Sequence, residues 1–186
     1  MPSGQSLLDA AYTFQGEPYS TAPGRTSATS GFKDCSGLIY AAFGLLGITP
    51  GGMVSTTLER WGVNNGGRYI SAVEAQFTPG AGLTIGGAVD GWNGVGPKGH
   101  IGLSVGNGQQ VVETPSVGRR VGFSEFWRNR WTGFFTWPGI DHHSITAPVI
   151  EGDDMPAYLY ILEAERAPQG WVLADGTGYV WADDRI

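Results

Sequence analysis

The sequence predicts an α+β fold, because helix-period apolar patterns fill its first third while alternating, strand-like patterns begin at His100. Glycine supplies the third observation. With 31 of 186 residues, it calls for many turns and long connections rather than a helical bundle.

The first helix starts from a Ser3 or Ser6 cap and runs to about Gln15, with Leu7, Leu8, Ala11 and Phe14 on one side. Residues 16–33 (GEPYSTAPGRTSATSGFK) read as a long polar loop. Asp34 caps a second helix from Cys35 to about Leu46. Its apolar residues wrap most of the circumference, which predicts burial, and Gly47 stops it. A short third helix is expected over Ser55–Trp61, and residues 77–99 carry no decisive pattern. Strands are then expected at HIGLSV, at QQVVET, near Arg120–Phe123 and near Trp131–Trp137. Residues 141–157 read as a linker, and 158–186 as a small acidic β-rich tail (YLYILEA, GWVLAD, GYVWAD), leaving 1–140 as the main domain.

Charge marks the same boundary. Residues 1–150 carry nine acidic and nine basic side chains, so the formal net charge of −6 lies wholly in residues 151–186. That balance argues against nucleic acid, which requires a basic footprint. No apolar run approaches the ~20 residues of a membrane helix, so no membrane partner is expected. The start of the chain lacks a basic-then-apolar leader pattern. A single cysteine excludes any internal disulfide.

That cysteine opens the second helix. Peptide dipoles at a helix start favour negative charge and make a thiolate more available, although the Asp34 carboxylate opposes this in part. Ser36 and Gly37 leave the thiol uncrowded and offer N–H donors where an oxyanion would form. The plainer reading of Cys35 is a buried structural thiol.

A base is offered by GHIGLSVGNGQQVVET. Asn107-Gly108 between two alternating runs signals a hairpin. A two-residue turn pairs Ser104 with Val111 and Gly102 with Glu113. Ile101, Leu103, Val105 and Val112 then form a core face, and His100, Gly102, Ser104 and Glu113 share the other. Glu113 is thereby within diagonal reach of His100, as an acid that orients an imidazole must be. A slip of one residue would send the two to opposite faces. A hydrogen-bonded strand histidine is the plainer reading of His100, and Glu125 is a second candidate acid.

GEPY at 16–19, GFKDCSGLIY at 31–40 and GHIGLSVGNG at 99–108 together resemble the NlpC-type cell-wall cysteine peptidases, over about residues 5–138. The resemblance implies a papain-like fold, Cys35 as nucleophile, His100 as base and Glu113 as the residue orienting it. It also implies cleavage of peptidoglycan stem peptides, typically between D-glutamate and diaminopimelate, with no metal or other cofactor. Tyr19 matches the family's proline-tyrosine motif beside the nucleophile. Tyr19, Asp34, Ser36 and Trp92 are read as substrate-binding. Three stretches depart from the family pattern: the loop after Tyr19 is longer and polar, Pro79-Gly80-Ala81 lacks an aspartate, and glutamate stands where histidine is usual. A Cys-His-Glu set also resembles CHAP-type amidases, which cut at the sugar–peptide junction.

Arg119, Arg120, Arg128 and Arg130 could meet carboxylates of a stem peptide, or simply be solvated. Trp127 and Trp131 suggest core. His142-His143 is a poor metal pair, because adjacent residues seldom converge on one ion. Wall-cutting chemistry without a leader pattern suggests a phage lysin or tail-associated enzyme acting at the bacterial cell wall, with the acidic tail docking onto a larger phage assembly. The rival from another class is a catalytically silent wall-binding or tail-structural module.

Overall fold

The computed structural model describes residues 1–87 and 99–142, together with the backbone of 171–172 and 179–180. The chain divides into two compact units, Met1–Thr146 and Ala147–Ile186.

In the first unit, α1 (Gly4–Tyr12) begins at a capping box in which Ser3 and Ser6 exchange side-chain contacts with each other's backbone N–H. It ends short of Gln15, because tighter three-residue turns close it at Phe14 and Gln15 and Gly16 takes a positive φ of 86°. The second helix, α2 (Cys35–Leu45), is capped by Asp34 as expected. α3 runs over Ser55–Asn64, beyond the predicted end at Trp61, and α4 over Ala72–Gln76.

Five antiparallel strands follow: β1 (Gly82–Ile85), β2 (His100–Ser104), β3 (Gln110–Glu113), β4 (Gly122–Glu125) and β5 (Gly133–Phe135). Their order across the sheet is β4-β3-β2-β1-β5. This is the expected α+β arrangement, with helices packed on a small antiparallel sheet in the papain-like manner. β1 and α4 come from stretches whose sequence predicted neither. Among the described residues, no helix is long and apolar enough to cross a membrane.

The hairpin register is the predicted one, with Leu103 facing Val112 and Ser104 facing Val111. The turn differs. Val105 N–H donates to the Gln110 carbonyl, so the loop holds four residues, and the Asn107 side chain accepts from the N–H groups of Gln109 and Gln110. Widening the loop by one residue on each side leaves its centre unmoved, and the register survives.

Both faces of β2 are buried. Ile101, Leu103 and Val112 meet the helices in one cluster with Leu7, Leu8, Leu38, Ile39 and Phe43. The opposite face, shared by His100, Gly102, Ser104 and Glu113, is covered by Leu83, Val111, Phe126 and Trp131 in a second cluster. His100 and Glu113 lie on that covered face. The second unit contributes β6 (Trp171–Val172) paired antiparallel with β7 (Tyr179–Val180), within two of the three expected tail strands; YLYILEA lies outside the described residues.

Candidate active site

The loop of residues 16–33 is fixed by its own last members. Lys33 is fully buried; its ammonium donates to Glu17 Oε2 at 2.7 Å, to the Ser30 hydroxyl at 3.0 Å and to the Phe32 carbonyl at 3.1 Å, and sits 4.4 Å from the Phe14 ring centroid. Burying an ammonium is tolerated only with such a set of partners. Tyr19 bridges to Lys33 in parallel, which brings the tyrosine beside the first turn of α2.

Asp34 then caps that turn. Its Oδ1 accepts from Gly37 N–H at 2.6 Å and from the Ser36 hydroxyl at 3.3 Å, while Oδ2 accepts from Arg25 Nε at 2.7 Å. Gly37 cannot carry a side chain here, since a Cβ would lie 2.6 Å from the Arg25 carbonyl oxygen and 2.7 Å from Asp34 Oδ1. The Asp34 side chain thus binds both Ser36 and Arg25 and builds the helix start, while the Ser36 backbone N–H lies toward Cys35.

Cys35 is 9% exposed. Burial pushes its thiol up to about 11, the neighbouring Asp34 charge adds to this, and backbone N–H groups of Ile101, Ser36 and Cys35 itself offset it only in part. The expected gain in thiolate from the helix start is therefore outweighed by desolvation. Tyr19 is held above its ordinary value by burial, then by the Cys35 and Asp34 charges, which places it close to the nucleophile candidate.

His100 opens β2, and Ile101, whose N–H faces the Cys35 sulfur, follows it. Nε2 of His100 meets Glu113 Oε2 in a hydrogen bond. Glu113 is 1% exposed. Burial alone would raise its carboxyl, but hydrogen bonds from His100, Arg130 and Ser124 prevail and hold it at about 2, so it is ionised. With Nε2 engaged, Nδ1 is the ring nitrogen left for a second partner.

Sequence reasoning brought out His100 and Glu113 but not the shell behind them. Arg130 donates to both Glu113 oxygens, Ser124 donates to one, and Trp131 stacks on the imidazole with 5.6 Å between centroids and 26° between planes. Alternation along β4 could have flagged Ser124, since it pairs with Val111 on the His100 face. Of the four clustered arginines, Arg128 donates to Gln76, Arg120 to the Gly16 carbonyl and Arg130 to Glu113. Trp131 is core, as expected, whereas Trp127 is exposed. Glu125 is exposed on β4, away from the histidine's contacts. His142 is occupied within the fold: Nε2 accepts from Trp137 N–H at 3.1 Å, so Nδ1 carries the proton that meets the Pro79 carbonyl at 3.1 Å. Trp92 and His143 lie outside the described residues.

A cysteine heading a helix, a histidine opening the middle strand of an antiparallel sheet and an acid on the next strand place the fold among papain-like α+β architectures. Solved structures narrow that likeness. The chain is similar to NlpC1 from Trichomonas vaginalis (21% identity over 73% of this chain and 43% of that one, TM-score 0.53). It is also similar to Rv1477, a hypothetical invasion protein of Mycobacterium tuberculosis (23%, 72% and 60%, TM-score 0.53). The NlpC/p60 domain of the peptidoglycan hydrolase SagA shows the same likeness (21%, 72% and 97%, TM-score 0.52). At these identities the likeness is one of fold, and the chain spans 43% and 60% of the first two structures. No family model and no curated protein matches the chain.

Proposed function

We propose that this chain is an NlpC/P60-type cysteine hydrolase that cuts stem-peptide amide bonds of bacterial peptidoglycan, as a D-glutamyl–diaminopimelate endopeptidase. One observation carries the reading: the strand that presents His100, oriented through Nε2 by Glu113, also brings its next N–H to the Cys35 sulfur. The fold likeness to a peptidoglycan hydrolase supports the choice of substrate.

The chemistry follows from the site. Cys35 rests as a thiol, so a base must take its proton as it attacks the amide carbonyl. Nδ1 of His100 is the nitrogen left for that task, and Glu113 stabilises the imidazolium formed. The backbone N–H groups of Cys35 and Ser36 donate to the developing oxyanion, that of Gly37 being taken by Asp34. His100 returns the proton to the leaving amine, and water clears the thioester by the same route. No metal enters this scheme. Tyr19 borders the nucleophile, and Trp92 is proposed as a groove wall. The catalytic unit ends near residue 140, and the acidic tail docks it to a larger phage assembly. Virion or lysis genes beside its own would support that setting, and housekeeping neighbours would overturn it.

Digestion of purified peptidoglycan, with Cys35→Ala and His100→Ala proteins as controls, tests the core claim. Wild type should release fragments carrying a new diaminopimelate amino terminus, and neither variant should. Identical fragments from all three would end the enzymatic reading. Glutamate in the orienting position favours a second reading, the CHAP-like amidase; free N-terminal alanine on the released peptides would select it.

A further inference from the structure

Arg130 closes a three-dimensional turn around the histidine. Its guanidinium carbon lies 4.8 Å from the Trp131 ring centroid, and the Trp131 ring lies against His100. Its two terminal nitrogens reach separate carboxylate oxygens, Nη1 to Oε1 at 2.6 Å and Nη2 to Oε2 at 2.8 Å. Ser124 adds a donor to Oε1 and His100 occupies Oε2. Each oxygen of Glu113 thus has two partners, and the plane of the carboxylate is fixed. A planar two-point fork sets an angle as well as a distance, which an ammonium cannot do.

Without that fork, Glu113 would keep one contact on each oxygen, His100 at Oε2 and the rotatable Ser124 hydroxyl at Oε1, and its last torsion, which is intrinsically broad, would be held less tightly. The imidazole has one hydrogen-bonding neighbour on this side, so its own orientation depends on where Oε2 stands. Trp131 limits the ring from one face but supplies no directional bond to it.

We propose that Arg130 is a positioning residue: acting through Glu113 and with Trp131, it fixes the His100 ring in the orientation that leaves Nδ1 for Cys35. The inference rests on the functional reading above, but its test is separable from it. Both terminal nitrogens of Arg130 are engaged with Glu113 within the fold.

The experiment compares wild type, Arg130→Gln and Arg130→Lys by steady-state kinetics on a defined stem-peptide fragment and by proton NMR of the imidazole N–H, assigned through its loss in His100→Gln. Arg130→Gln should lower kcat about 10–100-fold, the scale of a small misplacement, with KM within twofold. The low-field His100 N–H signal expected of wild type should broaden or vanish. Arg130→Lys should fall between, since it restores charge without the fork. An unchanged kcat in folded Arg130→Gln, or a raised KM at constant kcat, overturns the proposal. If Arg130→Gln does not fold, a fully active Arg130→Lys overturns it and an impaired one supports it. If wild type cleaves nothing, the functional reading fails alone: loss of the N–H signal in a folded variant still supports positioning, and its retention overturns it.

Discussion

The backbone N–H of Ile101, the strand residue after His100, points toward Cys35, the residue that opens α2, and favours its thiolate. The helix start and the strand start therefore meet directly, and no third element has to bring them together. α2 packs on β2 through a contiguous apolar cluster, which makes that meeting a property of the core rather than of a loop.

Burial of the Cys35 thiol gives a pH signature. Its raised value favours the protonated form, so the rate of alkylation by iodoacetamide should keep climbing above pH 9 rather than level off near the ordinary thiol value of 9.0. Stopped assays across pH 6–11, with mass detection of the single labelled cysteine, read this out. A plateau reached below pH 7 would mean that a thiolate–imidazolium pair outweighs desolvation.

Glu113 gives the opposite sign. Its folded value, about 2, lies below the ordinary 4.5, so the stability it contributes is complete above about pH 4.5 and is lost as pH falls toward 2. Urea unfolding of wild type should weaken across that window by on the order of a few kcal/mol. Glu113→Gln should be flatter there and less stable at neutral pH. Equal slopes for the two proteins would remove Glu113 from the account.

Gly102 sits between Val111 and the ring under His100. A Cβ at this position would lie 2.8 Å from Val111 Cγ1 and 3.1 Å from Trp131 Cη2. Gly102→Ala should destabilise by about 1–3 kcal/mol, as overpacking does, and should lower kcat more than a distant substitution of equal thermal cost. Melting temperature and turnover measured together check this.

Glu17 is the charged partner of Lys33. Glu17→Ala leaves a fully buried ammonium with neutral partners and should cost about 3 kcal/mol. Lys33→Met, which removes the buried charge itself, should cost less. Chemical denaturation ranks the two, and the reverse order would show that the ion pair contributes little.

The Cys35 helix and the His100–Glu113 pairing were legible because each is set by local signals: a cap followed by an apolar helix, and a period of two around a hairpin centre. The slack in the turn was invisible, yet it moved no register. Arg130 was not legible. It stands among four arginines of the same local appearance, and its partner is separated by a second strand and a 3-10 turn at Arg128–Arg130. The covered second face of β2 was hidden for the same reason, since Phe126 and Trp131 arrive from beyond β4. The rise of the Cys35 thiol depends on total burial, which no single stretch encodes.

Anchored at Tyr19 and Lys33 at its ends and at Arg25 near its middle, with Ser27 and Thr29 bonded within it and Gly24 and Gly31 at positive φ, the polar stretch before α2 leaves Thr21, Ala22, Pro23 and Ala28 with exposed side chains. Mutation can therefore rewrite those positions, or lengthen that stretch, while Cys35 and His100 stay where they are. Altering what such a scaffold recognises would begin there, by grafting new sequence between fixed posts.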